Sequence, residues 1–292
     1  MRPNSLPNSK DPDRPQPAFL AASAPPLQNV AITLSYDGNA FHGWQLQPNG
    51  PTVQGKLEQA LAILTGRETR VHGSGRTDSG VHAFNQVANF SAPAGLDLHR
   101  LRAGLNGLGA PAIAVKGVAP VPQSFHARYS ATGKTYRYHV FNRPYPPVFG
   151  RRRCWWVRPA LQIGAMREAA SALVGRHDFS AFRAKACSAK SPVRTIEQLT
   201  IEEGDWPEAT LRIRIEATGF LQHMARIVAG TLVGVGRGML KPEQVAAILA
   251  GGRREDAGQT APGWGLYLLE VRYDLEVFPE LAPLLGGHDP AE

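Results

Sequence analysis

Cysteine is scarce in this 292-residue chain, which has only Cys154 and Cys187, too far apart for a Cys-x-x-Cys motif. Two such residues cannot build the disulfide framework of a small secreted domain or a structural zinc site. The sequence also has no apolar run near the ~20 residues of a membrane-spanning helix, and its Pro-rich start lacks the apolar core of a signal peptide. We therefore expect a reduced, cytoplasmic protein that binds no metal and enters no membrane.

Acidic residues are fewer than basic ones, with 24 Asp and Glu against 32 Lys and Arg and a formal net charge of +8. The imbalance is concentrated in residues 29–275, because residues 276–292 contribute four acidic side chains and no Lys or Arg. Excess positive charge on a compact body attracts phosphates through counterion release, which gives affinity without sequence information. A polyanion is therefore a natural partner, although a basic balance can also serve solubility alone.

Large apolar side chains are sparse in residues 1–28, where seven prolines stand among Asn, Ser and Ala. We expect a disordered tail there, because so little apolar surface cannot offset the entropy of ordering. After this tail, strand and helix patterns interleave, which predicts an α+β fold. The prolines of Arg143–Gly150 break regular structure and mark a boundary. The predicted divisions are an N-terminal half at 29–142, a C-terminal half at 143–275 and a C-terminal tail at 276–292.

Caps and apolar periodicity predict individual elements. Thr52 and Asp97 suit the N-cap positions of two helices, because apolar residues follow each of them at helical spacing. Pro242 suits the first turn of another helix. The remaining predictions are helices around Leu161–Val174 and Phe220–Val235 and strands at Asn29–Tyr36, Thr135–Phe141, Leu211–Ala217 and Leu266–Tyr273.

The most informative segment is Gly73–Ala83, GSGRTDSGVHA, which places one carboxylate, Asp78, beside Arg76 in a glycine-spaced turn. Its glycines permit positive φ and the close approach of a ligand, and the two charged side chains face the same side if the segment is extended. Taken alone, an aspartate in such a loop is more often a turn former or a helix cap than a catalytic group.

The segment resembles the active-site motif G-R-T-D-x-G-V-H-A of the tRNA pseudouridine synthase A family, with Ser79 at the variable position. Further matches follow in the family's order from about residue 30 to about residue 273. They are YDG at Tyr36–Gly38, FHGWQ at Phe41–Gln45, TVQ at Thr52–Gln54, FHAR at Phe125–Arg128, YRY at Tyr136–Tyr138, DFSAFR at Asp178–Arg183 and GFLQHMAR at Gly219–Arg226. Chance does not explain this many matches in order.

The resemblance implies a role for four residues. Asp78 would be the catalytic residue, and Tyr136 would stack on the flipped uracil. Arg226 would contact Asp78 or a substrate phosphate. Arg76 would hold RNA in the cleft or fill the space that the extruded nucleotide leaves.

The resemblance also implies a fold, a substrate and an assembly. The fold would be α+β, with two RRM-like halves that share a continuous antiparallel sheet, flanking helices and an active cleft between the halves. The substrate would be tRNA, with uridines at positions 38, 39 and 40 of the anticodon stem-loop isomerised to pseudouridine. The assembly would be a homodimer.

The reaction needs little apparatus. It breaks a bond from a base nitrogen to the ribose and makes a carbon–carbon bond to the same base, with no net oxidation, so we expect no cofactor. One group must assist cleavage, and a pocket must hold the freed uracil away from water. A carboxylate is already anionic at neutral pH. The residues leave open whether Asp78 attacks the sugar carbon to form an ester or removes the neighbouring sugar proton to form a glycal.

Alternative interpretations of the same residues stay open. Aromatics on strands are more often core, which would apply to Tyr136 and Tyr138, and an arginine on an apolar helix such as Arg226 can simply extend to solvent. We leave His82 and His126 outside the catalytic set, because a histidine near a turn more often caps or packs. The alternative functions are a non-catalytic tRNA-binding or folding factor and a synthase that acts on another RNA.

Two basic clusters and one false motif complete the candidates. Gly133–Thr135 imitates the end of a phosphate-binding P-loop, but that motif requires glycine where Arg128 stands, so we predict no nucleotide site. The clusters that can line an RNA path are Arg151–Trp156 and the group of Arg183, Lys185, Lys190 and Arg194, although a charge run is usually only a solvated face.

Overall fold

A computed structural model of the protein describes residues 25–206 and 209–285. The fold is mixed α+β, with one large, mostly antiparallel sheet and flanking helices. Most of the predicted disordered tail, residues 1–24, lies outside the described residues. The first strand begins at Leu27, two residues before the predicted strand.

Strands and helices are interspersed along the described chain. The strands are β1 (Leu27–Tyr36), β2 (His72–Gly73), β3 (His82–Pro93), β4 (Ile113–Val121), β5 (Ala131–Phe141), β6 (Trp155–Trp156), β7 (Gly175–Asp178), β8 (Val193–Trp206), β9 (Ala209–Ala217) and β10 (Leu266–Tyr273). The helices are α1 (Val53–Thr65), α2 (Leu98–Gly109), α3 (Ile163–Ser171), α4 (Met224–Gly236), α5 (Pro242–Gly251) and α6 (Ala282–Leu285).

Most predicted elements are confirmed. Thr52 caps α1 by accepting a hydrogen bond from the Gly55 N–H, and Asp97 caps α2 by accepting one from the Arg100 N–H. Pro242 begins α5, and β10 has the predicted bounds. The longer strands β3, β4 and β8 are absent from the prediction, as are the short strands β2 and β7.

Two helices differ from the prediction. Helix α3 is shorter at both ends, and α4 begins at Met224, four residues later than expected. The residue before it, His223, has a φ of 64°, in the left-handed region. Such a residue cannot continue a right-handed helix, so the apolar Phe220 and Leu221, although spaced suitably, precede α4 rather than open it.

Strand β10 joins two parts of the sheet. The first part contains β4, β1 and β3, and the second contains β5, β9, β8 and β7. The strand order is β4-β1-β3-β10-β5-β9-β8-β7, with β2 paired to β3 and β6 paired to β5. Strand β10, from the segment 143–275, therefore lies between two strands from the segment 29–142. Leu268 of β10 pairs with Ala83 on one side and Tyr136 on the other. This register places Tyr136 two strand spacings, roughly 10 Å, from the strand that follows the Asp78 loop.

Helices on both parts share one hydrophobic core. Helix α2 contacts α1 and β4, and α3 contacts α4, α5 and β8. Leu57 and Leu105 from the first part and Leu173 and Val228 from the second belong to the same buried cluster. A single core of this kind fixes the two parts of the sheet relative to each other.

The described part of the predicted C-terminal tail packs onto this body. Phe278 and Leu281 are buried, and α6 contacts β1 and β4. Among the helices of residues 25–206 and 209–285, none has the length and apolar character needed to span a lipid bilayer.

Candidate active site

A polar cleft of about 870 Å³ opens beside the loop that joins β2 to β3. Asp78, Arg76, Tyr136 and Arg226 all line it. The structure thus brings together the four residues predicted from sequence, although they come from the β2–β3 loop, β5 and α4. Arg76 is exposed, whereas Tyr136 is buried.

The loop that carries Asp78 is held from one side by the segment after β1. The Trp44 N–H donates a hydrogen bond to the Thr77 carbonyl at 3.0 Å, and the Tyr36 and Thr77 hydroxyls are 2.8 Å apart. Burial raises the pKa of Tyr36 to about 12, so its phenol stays protonated. Gly43, with a φ of 93°, lies against this loop, where a Cβ would meet the Thr77 carbonyl oxygen at 2.7 Å. The YDG and FHGWQ motifs therefore support the loop.

The turn after Asp78 is closed by two further contacts. The Val81 N–H donates to the Asp78 carbonyl at 3.1 Å, and Gly80 between them has a φ of 79°. On the other side, a Cβ on Gly263 would collide with the carbonyl oxygen of Ser79. Because the backbone is fixed on both sides, the Asp78 side chain has few positions open to it other than the cleft.

Arg226 holds one oxygen of Asp78. Its Nη1 donates to Asp78 Oδ2 at 2.7 Å, and its Nε donates to the Ala261 carbonyl at 2.7 Å. The arginine side chain is 16% exposed and the aspartate 29%, so the pair is only partly screened by water. Arg226 lies in the first turn of α4, where the helix dipole disfavours a cation. The Asp78 carboxylate compensates for that position.

His223 is a site residue that sequence reasoning missed. Its Nε2 lies 3.5 Å from Asp78 Oδ2, on the same side as Arg226. A positive φ on a histidine is uncommon and strained, and such residues cluster at functional sites. Periodicity carried no signal for it, because the surrounding sequence reads as a helix. Only its place in the matched GFLQHMAR motif pointed to it.

Tyr136 forms part of the cleft, whereas Tyr138 belongs to the core. Tyr136 is 7% exposed and packs edge to face against Phe220, with ring centroids 4.8 Å apart. Burial raises its pKa above the ordinary value, so the ring is neutral. Tyr138 is fully buried, and its hydroxyl donates to the Pro262 carbonyl at 2.8 Å. The core interpretation therefore applies to Tyr138.

Lys134 is the second site residue that sequence reasoning missed. It lies two residues before Tyr136 on β5, so both side chains face the cleft. Its Nζ donates to the Ser74 carbonyl at 2.7 Å, and a Cβ on Gly75 would lie 2.9 Å from that nitrogen. Burial, with a smaller contribution from Arg128, lowers the pKa of Lys134 to about 8.

The pKa of Lys134 predicts an alkaline limit to activity on an anionic substrate. The ammonium is charged below about pH 8 and loses its charge as the pH rises through that value. We expect kcat/KM, which reports pKa values of the free enzyme, to fall over the same range. In Lys134→Arg the guanidinium stays charged, so the profile should be flat from about pH 7 to 9. The same decline in both proteins would assign it to another group.

His82 and His126 are not part of the described cleft lining, and the two basic clusters lie mostly outside it. Arg153 pairs with Asp37 at 3.1 Å, away from the cleft lining. Of the second cluster only Arg194 lines the cleft, and Lys185 pairs with Glu255 at 2.7 Å. These findings confine the cleft's positive charge to a few side chains.

His82 has a structural role. Its Nδ1 accepts a hydrogen bond from the Gly38 N–H at 3.1 Å, and its Nε2 lies 3.1 Å from the Trp264 carbonyl, to which it donates. This pattern requires the neutral ring, and burial lowers the pKa of His82 accordingly. Its 3.2 Å approach to Asp37 is therefore not an ion pair, because Nδ1 carries no proton.

Comparison with known proteins identifies the family. Residues 32–130 and 169–274 match the family model described as tRNA pseudouridine synthase. The chain belongs to this family. It is similar to proteins named tRNA pseudouridine synthase A: 46% identical over 244 residues to that of Syntrophotalea carbinolica, covering 84% of this chain and 96% of the relative. It is also 46% identical over 258 residues to that of Rhodospirillum rubrum, covering 88% and 90%.

The family match includes most of the site. Asp78, Arg76 and Arg226 lie inside the two matched segments. Tyr136 and Lys134 lie between these segments, and both line the cleft.

Proposed function

We propose that the protein is a tRNA pseudouridine synthase, an isomerase that converts uridine to pseudouridine without a cofactor. The observation that carries the proposal is the Asp78 carboxylate, held by Arg226 in a cleft that Tyr136 also lines. Family membership supports the same reaction. The position of Asp78, 29% exposed, favours a nucleotide that is flipped out of its stack to reach it.

The two oxygens of Asp78 have different surroundings. Oδ2 receives the hydrogen bond of Arg226 and faces His223. Within residues 25–206 and 209–285, no group donates a hydrogen bond to Oδ1. We infer that Oδ1 is the reacting oxygen, whether it attacks the sugar carbon or removes the neighbouring sugar proton. In both routes Arg226 orients the carboxylate through its hydrogen bond to Oδ2.

The cleft offers a place for the freed uracil. Tyr136 and Phe220, which pack against each other, form an apolar part of the lining that also includes the polar Asp78 loop. Aromatic faces stack on single bases, so we assign Tyr136 to the uracil. We assign Arg76, exposed at the rim, to the RNA backbone or to the space that the extruded nucleotide leaves.

The substrate that we propose is tRNA, modified at positions 38, 39 and 40 of the anticodon stem-loop. Five cationic side chains line the cleft, Arg76, Arg128, Lys134, Arg194 and Arg226, and Asp78 is the one acidic residue among its described lining. Such a lining suits phosphates and carries no base-specific code. An enzyme that acts at adjacent positions of many tRNAs must read shape and backbone, which this arrangement allows.

The finer architecture and the assembly belong to the same proposal. We infer two RRM-like halves, divided near residue 142, with the cleft between them, and a cytoplasmic homodimer. The interleaving of strands and helices on both sides of that division supports the first inference. Family membership supports the second. Sedimentation equilibrium measures the assembly, and a monomer at micromolar concentration would contradict it.

The test of the function is to incubate the protein with an unmodified tRNA transcript and to map pseudouridine by carbodiimide adduct stops. We expect stops within the anticodon stem-loop, without added cofactor. Transcripts with cytidine in place of one uridine at a time identify the modified positions. Tight binding without stops would favour the non-catalytic tRNA-binding factor, and stops only in another RNA would favour a synthase of different substrate.

A further inference from the structure

The FHAR motif lies at the rim of the cleft, and of its four residues only Arg128 has a role above, as part of the cationic lining. Its side chains alternate: Phe125 and Ala127 are buried, whereas His126 is half-buried and Arg128 exposed. The Tyr273 hydroxyl donates to the Ala127 carbonyl at 2.7 Å, which ties the segment to β10. The buried pair thus anchors the backbone and holds the outward side chains in place.

Of the two outward side chains, His126 belongs to a ladder of three rings formed by His72, His126 and Tyr129. The centroids of His72 and His126 are 5.0 Å apart, and those of His126 and Tyr129 are 4.4 Å apart. His126 Nδ1 accepts a hydrogen bond from the Arg128 N–H at 3.1 Å, so its ring is uncharged. Burial lowers the pKa of His126, and the neighbouring His72 and Arg128 lower it further. Tyr129, at the end of the ladder, is 77% exposed.

The ladder is continuous with the catalytic cleft. His72 begins β2, which runs into the loop of Asp78. Because Asp78 is six residues after His72, the two residues are at most ~20 Å apart. Arg128 both lines the cleft and lies beside the ladder, with its guanidinium carbon 5.7 Å from the centroid of Tyr129. An exposed ring next to a cation on the edge of a basic cleft has the two groups that a nucleotide requires, a stacking face and a phosphate partner.

We propose that this ladder is a subsite for one unpaired nucleotide that flanks the target uridine, with its base stacked on Tyr129 and its phosphate held by Arg128. The inference rests on the proposed function, because it places the flanking nucleotide relative to a uridine at Asp78. It extends the binding surface beyond the uracil pocket and gives the RNA a second fixed point. With two fixed points, the enzyme can set the register of the RNA without reading base edges.

Replacement of Tyr129 tests the stacking. Tyr129→Ala should raise KM for a tRNA transcript about 10-fold while kcat stays within about twofold, because the ring contacts RNA but no reacting atom. Tyr129→Phe keeps the aromatic face and should restore the wild-type KM. The matched control is Tyr145→Ala, which removes a tyrosine that is 59% exposed and outside the cleft lining. An unchanged KM in Tyr129→Ala would overturn the proposal.

A double-mutant cycle locates the nucleotide. Anticodon stem-loop RNAs with a single abasic residue, placed at each loop position in turn, are bound to the wild-type protein and to Tyr129→Ala. At one position the abasic loss should vanish in the variant, because the stacking partner is already gone. Additive losses at every position would refute the subsite. The cycle uses dissociation constants, so it decides the matter even if the wild-type protein forms no pseudouridine, a result that counts against the proposed function alone.

Discussion

Asp78→Asn should lower the rate of pseudouridine formation by at least about 1,000-fold. The amide has nearly the same shape as the carboxylate, but it can neither attack the sugar carbon nor take up the sugar proton. The affinity for tRNA should stay the same or rise, because the substitution removes the one acidic side chain among the described residues of the cleft lining. The measurements are single-turnover rates on a tRNA transcript and a dissociation constant by filter binding.

The control for Asp78→Asn is Asp97→Asn. Asp97 caps α2 on the surface, and asparagine caps helices about as well, so that variant should keep both stability and activity. If Asp78→Asn lost tRNA binding and activity in equal measure, with a lowered Tm, the residue would be structural. Retained activity in Asp78→Asn would remove the proposed chemistry altogether.

Replacement of Arg226 should give the second largest loss. Arg226→Met removes the cation that orients Asp78 Oδ2, and we expect the single-turnover rate to fall about 100- to 1,000-fold, as for the loss of one preorganised electrostatic group. Binding of tRNA should weaken far less, because other cations of the cleft remain. Arg226→Lys keeps the charge, but one ammonium cannot reproduce the geometry of a guanidinium that bonds both Asp78 and the Ala261 carbonyl.

Comparison of the wild-type protein with Arg226→Met and Arg226→Lys separates the effect of the charge at position 226 from the effect of its geometry. An intermediate rate for Arg226→Lys would assign part of the effect to charge and the rest to orientation. A rate for Arg226→Met within a few fold of wild type would mean that Asp78 needs no partner. Thermal unfolding of each variant shows whether the loss is local: an unchanged Tm confines the effect to the site, whereas a lowered Tm shows that the partly buried pair also supports the fold.

Helices and strands with a local sequence signal, such as an N-cap, could be predicted. The other elements and the strand order depend on long-range packing. The N-caps at Thr52 and Asp97 are local, so α1 and α2 could be predicted. Strand β8 was missed because its buried residues Ile196 and Leu199 are three apart, and a register shift after Ile196 breaks the alternation that identifies a strand. No local pattern shows that β10 lies between β3 and β5, because that neighbourhood depends on the whole sheet.

The same distinction applies to the cleft. Asp78 and its partners could be predicted because ordered motifs carried a family resemblance. His223 could not, since its position depends on a left-handed backbone where the surrounding residues favour a helix. Lys134 could not either, because only its burial against the Ser74 carbonyl distinguishes it from a surface lysine on a strand. His223 and Lys134 both differ from what the neighbouring sequence predicts, and both line the cleft that Asp78 also lines.

The position of β10 makes the order of synthesis important for this protein. While a ribosome is still translating residues before Leu266, the hydrogen-bonded path from β3 to β5 has a gap, and the Asp78 loop and Tyr136 belong to strands with no common neighbour. The nascent chain therefore cannot complete the site until its last strand has left the exit tunnel. Pairing of such distant segments is slow, because loop closure precedes the contacts that stabilise it. We therefore expect a chain that ends before β10 to form no pseudouridine.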